Sequence, residues 1–233
     1  MIRNYGITAF AIYKTLAISA PTVVEAALGR LRPEVCDARL AAWSRALVSR
    51  AQVDLEVHGL DRVPRDRAYI VMSNHQSHFD IPILYCVWPG RLRMVAKIEL
   101  FKVPIWGRAM RDAGFVPIDR SGSRAESQAA LDQAARALGA GTSIWIAPEG
   151  TRSLDGRLGK FKKGGFRLAL DTNTPIVPIA LDGSMDIVPK KTTVVRAGAR
   201  VRVTVGDPIQ PRGDSASLSA DVREFIAAHI ANA

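Results

Sequence analysis

Tyr69-Ile70-Val71-Met72-Ser73-Asn74-His75-Gln76-Ser77-His78-Phe79-Asp80-Ile81-Pro82 runs from an apolar, strand-like segment through a polar turn to a proline-marked helix start. Asp80 ahead of Ile81-Pro82 reads as an N-cap with proline in the first helical turn, so a helix begins where the polar turn ends. The turn sets an imidazole, His75, and a carboxylate, Asp80, five positions apart. Five residues of ideal helix would carry them to different faces, so a loop has to bring them together. Histidine, with an unperturbed pKa of about 6.5, takes and returns a proton near neutrality, and a carboxylate on its second nitrogen fixes the tautomer and steadies the imidazolium. The pair reads as a general base and its orienter. A surface or capping pair is the alternative that these two residues alone leave open.

Working outward, strands are predicted at Val53 to Val57, Tyr69 to Met72, Leu92 to Ala96 and Thr142 to Ala147, with helices after Pro82 and after Lys97. Ser123-Arg124-Ala125-Glu126 has the capping-box pattern, and Ala130, Leu131, Ala134, Ala135 and Leu138 continue a helical face until Gly139 stops it. Ile176 to Leu181 is another short strand, and Pro178 inside it predicts an edge position or a bent end. Val194 to Arg196 and Arg200 to Val205, joined by Ala197-Gly198-Ala199, read as a hairpin. A closing helix from about Ser219 carries Val222, Phe225, Ile226 and His229 at helical intervals. Strands alternating with helices predict an α/β fold, a mixed β-sheet flanked by helices, with functional groups on loops at strand ends.

The first fifty residues have a different character. From Tyr5 to Leu28 the chain is apolar or small apart from Lys14 and Glu25, and Pro21 divides it. The stretch falls short of the roughly 20 uninterrupted apolar residues of a clean span, so it reads as a helix broken near Pro21 that lies in or dips into one leaflet. Cys36, Leu40, Trp43 and Leu47 then recur at helical spacing, with Arg39, Arg45 and Arg50 off that stripe, a pattern that suits an anionic membrane surface or the covering of a core. Residues 1–52 are therefore expected to be membrane-associated helices and residues 53–233 the α/β domain.

The 233 residues carry a formal charge of +10 with a sequence pI near 10.1, which argues for anionic partners without choosing among nucleic acid, acidic lipid and phosphorylated small molecules. Basic residues are dense from Arg152 to Arg167, where only Asp155 opposes them, and no zinc-finger, helix-turn-helix or RNP signature accompanies them, so no nucleic-acid partner is expected. Cys36 and Cys86 make no disulfide framework and fit a reducing compartment. His75, His78 and Asp80 are possible metal ligands, but His58 and His229 do not complete a site, and no metal is expected. Gly139-Ala140-Gly141 precedes a strand instead of following one, which excludes a dinucleotide fingerprint.

Four blocks carry polar chemistry on apolar scaffolding: Asn74 to Asp80, Gly114 to Arg120, Ala147-Pro148-Glu149-Gly150-Thr151-Arg152-Ser153, and Thr174 to Ile179. In this order they resemble the glycerolipid acyltransferase family, most closely its 1-acyl-glycerol-3-phosphate acyltransferases, over residues 74 to 179. Ala147 stands where phenylalanine or tyrosine is common, and Pro117 where an aliphatic residue is. The resemblance implies that His75 removes a proton from a glycerol hydroxyl with Asp80 holding it, and that the hydroxyl attacks an acyl thioester directly. No enzyme nucleophile is needed, in keeping with the lack of a GxSxG elbow or a cysteine beside a histidine. Lys97, Arg120 and Arg152, each just after a predicted strand, form a candidate phosphate clamp. The resemblance adds Glu149, Gly150 and Thr151 to the acceptor site. It implies lysophosphatidic acid as acceptor, with glycerol 3-phosphate, another lysophospholipid or a lyso-aminolipid as alternatives. It further implies acyl-CoA or acyl carrier protein as co-substrate with no other cofactor, and residence with anionic lipid on the cytoplasmic face of the inner membrane.

Overall fold

In the computed structural model, residues 2–119 and 124–231 are described. Two N-terminal helices, α1 (Ile2–Ala27) and α2 (Pro33–Arg50), lead into β1 (Asp54–His58), β2 (Ile70–Ser73), α3 (Asp80–Val87), β3 (Leu92–Lys97), α4 (Trp106–Asp112) and β4 (Val116–Ile118). They are followed by α5 (Arg124–Gly139), β5 (Ser143–Ile146), α6 (Gly164–Thr172), β6 (Ile176–Asp182), β7 (Arg200–Val205) and α7 (Ser215–Ala228). The strands form one mixed sheet in the order β1-β7-β6-β2-β5-β3-β4, as the alternation of strands and helices predicts. β6, β2, β5, β3 and β4 run parallel; β7 is antiparallel to β6 and parallel to β1. The loops leaving the five parallel strands therefore gather at one edge, where open α/β sheets bind ligands.

Every residue of the central strand β2 is buried, because helices cover both faces. Val71, Trp145, Val177, Ile179 and Leu181 pack on one face with Leu47, Ile83, Leu84 and Met110 from α2, α3 and α4. Ile70, Met72, Ile144 and Ile176 pack on the other with Ala134, Phe166, Leu168, Val222 and Ile226 from α5, α6 and α7. Gly165 gives α6 room against β2: a Cβ there would stand 2.8 Å from the Met72 Cε, which would have to shift.

The N-terminal helices share this core. Ile7, Leu47, Val48 and Ala51 are buried in it, and Asp37 of α2 binds Arg91 and the buried Arg93 at 2.9 and 2.6 Å. Contrary to expectation, α1 passes through Pro21 without a break. Proline removes one backbone donor, but α1 is held along its length by α2: Trp43 Nε1 donates to Thr15 Oγ1 at 3.1 Å, and Arg39 binds Thr22 Oγ1 and Glu25 at 3.1 and 2.6 Å. Arg39 thus faces α1. Unbroken, Asn4–Ala27 is long and apolar enough by length and composition to cross a membrane.

Other elements depart from the sequence-based expectation. β6 lies inside the sheet, between β7 and β2, despite Pro178. Ile176 pairs in both directions with Ile209, and the Pro178 carbonyl accepts from Gly206 N at 2.8 Å, so these backbone groups face the chain leaving β7 and the missing donor costs no bond to β2. The expected hairpin is absent. Val194 to Arg196 is irregular, and Val195 N donates instead to Thr8 Oγ1 of α1 at 3.0 Å. β4 is the strand expected just ahead of Arg120; it is an edge strand, which tolerates Pro117. The sequence did not anticipate α6. Its start lies in the stretch dense in basic residues. α7 begins at Ser215, because Asp214 accepts from Ala216 N and Ser217 N and forms a capping box with Ser217. α5 follows prediction from Arg124 to Gly139, while its expected cap, Ser123, lies outside the described residues.

Candidate active site

β2 ends at Ser73, and the next residue determines where the chain turns. Asn74 Nδ2 donates to Leu181 O at 2.7 Å while Leu181 N donates to Asn74 Oδ1 at 2.8 Å, so a side-chain amide takes over from the β2–β6 ladder and releases the backbone into the loop. His75 follows, and both its backbone groups are bound by the Pro148-to-Ser153 block that leaves β5. His75 N donates to Glu149 Oε1 at 3.1 Å and Ser153 N donates to His75 O at 2.7 Å. Two of the blocks singled out by sequence are therefore one structure.

The loop brings His75 and Asp80 together. Asp80 Oδ2 lies 2.7 Å from His75 Nδ1 and accepts from Gln76 N and Ser77 N at 2.8 and 3.0 Å. Asp80 is the first residue of α3 rather than the expected N-cap; its carboxylate faces back to the turn, and the residue is 0% exposed. With Nδ1 committed to Asp80, Nε2 is the ring nitrogen left for proton transfer. Trp145 meets the imidazole in a T-shaped contact with centroids 5.4 Å apart, and Trp145 Nε1 is anchored on Ser73 Oγ at 2.9 Å. The imidazole is thus held by a carboxylate on one nitrogen, an indole in T-shaped contact and both backbone groups of its residue, the arrangement of an oriented base.

Glu149 is buried, and its two oxygens are already used: Oε1 by His75 N and Oε2 by Gly159 N at 2.8 Å. Burial raises its carboxyl above the ordinary range, against the pull of those two donors and of His75. Its place is beneath the base. Gly150 adopts the left-handed conformation, φ +70°, at the turn, and Thr151 is exposed. Arg152 is half-buried with Nη1 enclosed and unpartnered, and desolvation pulls its guanidinium down while Asp80 opposes. Lys190 Nζ holds the Arg152 carbonyl at 2.5 Å. His78 stands beside these groups; the residue is exposed, and partial desolvation of its ring, then Arg152 and His75, lower its pKa to about 4.

Lys97 lies at the carboxyl end of β3 and is ion-paired with Glu99 at 3.1 Å. Arg120 lies outside the described residues. Asn74, Trp145, Ser153 and Lys190 were not singled out from sequence as site residues, because their roles depend on partners 38 to 107 positions away. Among the described residues no group of three histidine, cysteine, aspartate or glutamate side chains is arranged to hold a metal ion. Both cysteines are free thiols.

The chain is similar to known acyltransferases. The chain is 36% identical over 167 residues to the chloroplastic 1-acyl-sn-glycerol-3-phosphate acyltransferase BAT2 of Brassica napus, covering 71% of this chain and 47% of that protein. It is 33% identical over 175 residues to the alpha enzyme of that name from Mus musculus (73% and 61%), and 30% identical over 186 residues to the one from Pseudomonas aeruginosa (80% and 70%). The chain spans about half the length of the plant relatives. The crystal structure of the 1-acyl-sn-glycerophosphate (LPA) acyltransferase PlsC from Thermotoga maritima superposes with a TM-score of 0.80 at 27% identity, covering 97% of this chain and 93% of that one. The acyltransferase family profile matches residues 54–182, from β1 to the end of β6 and so across both blocks that frame His75; the chain belongs to the acyltransferase family.

Proposed function

We propose that this protein transfers a fatty acyl group from an acyl thioester to the free hydroxyl of lysophosphatidic acid, giving phosphatidic acid. The observation that carries the reading is the oriented dyad: Asp80 Oδ2 at 2.7 Å from His75 Nδ1, with the same oxygen held by two backbone N–H groups. In this reading His75 Nε2 takes the proton of the acceptor hydroxyl as its oxygen attacks the thioester carbonyl. The tetrahedral intermediate collapses, the C–S bond breaks, and the imidazolium returns the proton to the departing thiolate. Asp80, buried behind the ring, steadies the imidazolium between the two transfers. Arg152, with Lys97 and Arg120, receives the acceptor phosphate, while Gly150 and Thr151 form the turn over which it lies. Glu149, which the family resemblance assigned to the acceptor, is better read as a positioning residue, because both its oxygens are bound to backbone donors.

Membrane association is supported by α1, whose Ile12, Tyr13, Leu16 and Val24 are exposed, as is Leu28 just beyond it, and by the 1-acyl-glycerol-3-phosphate substrate named in the relatives. We place the protein on the cytoplasmic face of the inner membrane, in contact with anionic lipid, with acyl-CoA or acyl carrier protein as donor. The test offers purified protein each labelled donor with lysophosphatidic acid, glycerol 3-phosphate and a lysophospholipid, and separates the products. Phosphatidic acid is expected, with His75→Ala and Asp80→Asn slower by about 10²- to 10⁴-fold. Full activity in His75→Ala, or transfer only to the other acceptors, would refute the proposal.

A further inference from the structure

The segment between Ser153 and α6, basic in sequence and without an assigned role, is fastened to the active-site turn. Arg223 of α7 donates to the carbonyls of Gly159 and Leu158 at 2.6 and 3.1 Å, and its guanidinium lies over the Phe161 ring, 5.3 Å from the centroid. Gly159 N donates to Glu149 Oε2 at 2.8 Å, Gln76 Nε2 to Gly156 O at 3.2 Å, and Lys162 N to Pro148 O at 2.8 Å. The segment is therefore ordered against the turn before any ligand arrives.

The last of these bonds starts the Lys162 side chain directly at the turn, and its stem runs across Gly150. A Cβ on Gly150 would lie 3.0 Å from Lys162 Cε and 3.2 Å from both Cδ and Nζ. Glycine at position 150 thus meets two demands, the left-handed backbone and clearance for this lysine. The ammonium is delivered to the turn that carries Arg152, and among the described residues no carboxylate is paired with it. Glu149, the acid of the turn, has both oxygens occupied by backbone donors. Lys162 is exposed, and its ammonium, with no carboxylate paired to it among the described residues, is open to an anion at the turn.

We infer that Lys162 is a further substrate-binding residue, a cation that contacts the phosphate monoester of the acyl acceptor over Gly150, beside Arg152. The inference rests on the reading of the acceptor as phosphorylated, and the two are separable by experiment. Lys162→Met keeps the stem over Gly150 and removes only the charge; Lys162→Arg keeps the charge. Binding of a short-chain, water-soluble lysophosphatidic acid is measured by calorimetry, and in parallel KM and kcat are measured for lysophosphatidic acid and for monoacylglycerol, which lacks the phosphate, with the donor KM followed in both. Thermal melting shows that the variants are folded.

Lys162→Met is expected to weaken binding of the phosphorylated ligand and raise its KM by about 10- to 100-fold, the usual effect of losing a charged hydrogen bond. It should leave kcat, the donor KM and any monoacylglycerol rate within about twofold, and Lys162→Arg should restore most of the loss. Binding that depends on Lys162 without turnover of lysophosphatidic acid supports the inference and counts against the proposed reaction. Unchanged binding in Lys162→Met, or a rise confined to the donor KM, overturns the inference. A wild-type protein that binds no phosphate monoester overturns both.

Discussion

Replacing Glu149 by glutamine separates a positioning role from a binding role. Glu149 accepts from His75 N through one oxygen and from Gly159 N through the other. A carboxamide keeps one acceptor and turns an N–H toward the second donor, so either His75 or Gly159 loses its partner whichever way the amide is oriented. A hydrogen bond to a charged acceptor contributes about 1.5–3 kcal/mol, and a buried donor left unpaired costs about 1–3 kcal/mol, so a combined penalty of about 2–4 kcal/mol is reasonable. If it falls on the placement of the imidazole, kcat drops by roughly 30- to 1000-fold. The KM for the acceptor should change less than about threefold, because no ligand contact is removed. Stability should not fall in proportion. Burial holds the Glu149 carboxyl above its ordinary value, so the ionised form loses stability for the fold as pH rises through that raised value, and the neutral glutamine does not carry that cost. The assay is initial-rate kinetics with acceptor varied at saturating donor, beside thermal melting. An unchanged kcat with a raised acceptor KM would refute the positioning role and return Glu149 to the ligand.

Two further perturbations probe the surroundings. The His78 imidazole, lowered to about 4 from an ordinary 6.5, binds fewer protons in the folded than in the unfolded chain between those values, so its contribution to stability is present above about pH 6.5 and lost as pH falls toward 4. In an NMR titration its ring signals should move near pH 4, and His78→Gln should flatten the acid limb of the stability profile; a midpoint near 6.5 would show that this exposed ring is neither desolvated nor influenced by Arg152. Leu16→Glu, on the exposed face of α1, should reduce flotation with vesicles of anionic phospholipid by about tenfold or more while leaving the fold intact, and undiminished flotation would remove α1 from the membrane contact.

Where sequence and structure agree, the interaction is local. The strand at Ile70–Ser73, the turn and the helix from Asp80 follow from apolar runs and a proline within one short stretch, and the meeting of His75 with Asp80 needs only the loop between them. The misreadings share a cause. Pro178 reads as an edge residue because its partner's departure at Gly206 is invisible along the chain; Pro21 reads as a break because the bonds from α2 are; and α6 is hidden by the lysines before it and the two glycines that open it.

The sequence by itself determined the layered α/β class and the pairing of His75 with Asp80, which rest on periodicity or on residues a few positions apart, and, through the resemblance of its four blocks, the family. Only the tertiary structure decided that Glu149 lies beneath His75, that Asn74 ends the ladder on β6, that α2 shares the core and that Lys162 crosses Gly150. Those contacts join residues from separate strands and loops, and their hydrogen-bonding capacity is assigned only when parallel strands bring the loops to one edge of the sheet. Glutamate carries the same charge in a ligand site as in a backbone bracket; what distinguishes the two is where its oxygens are already bound.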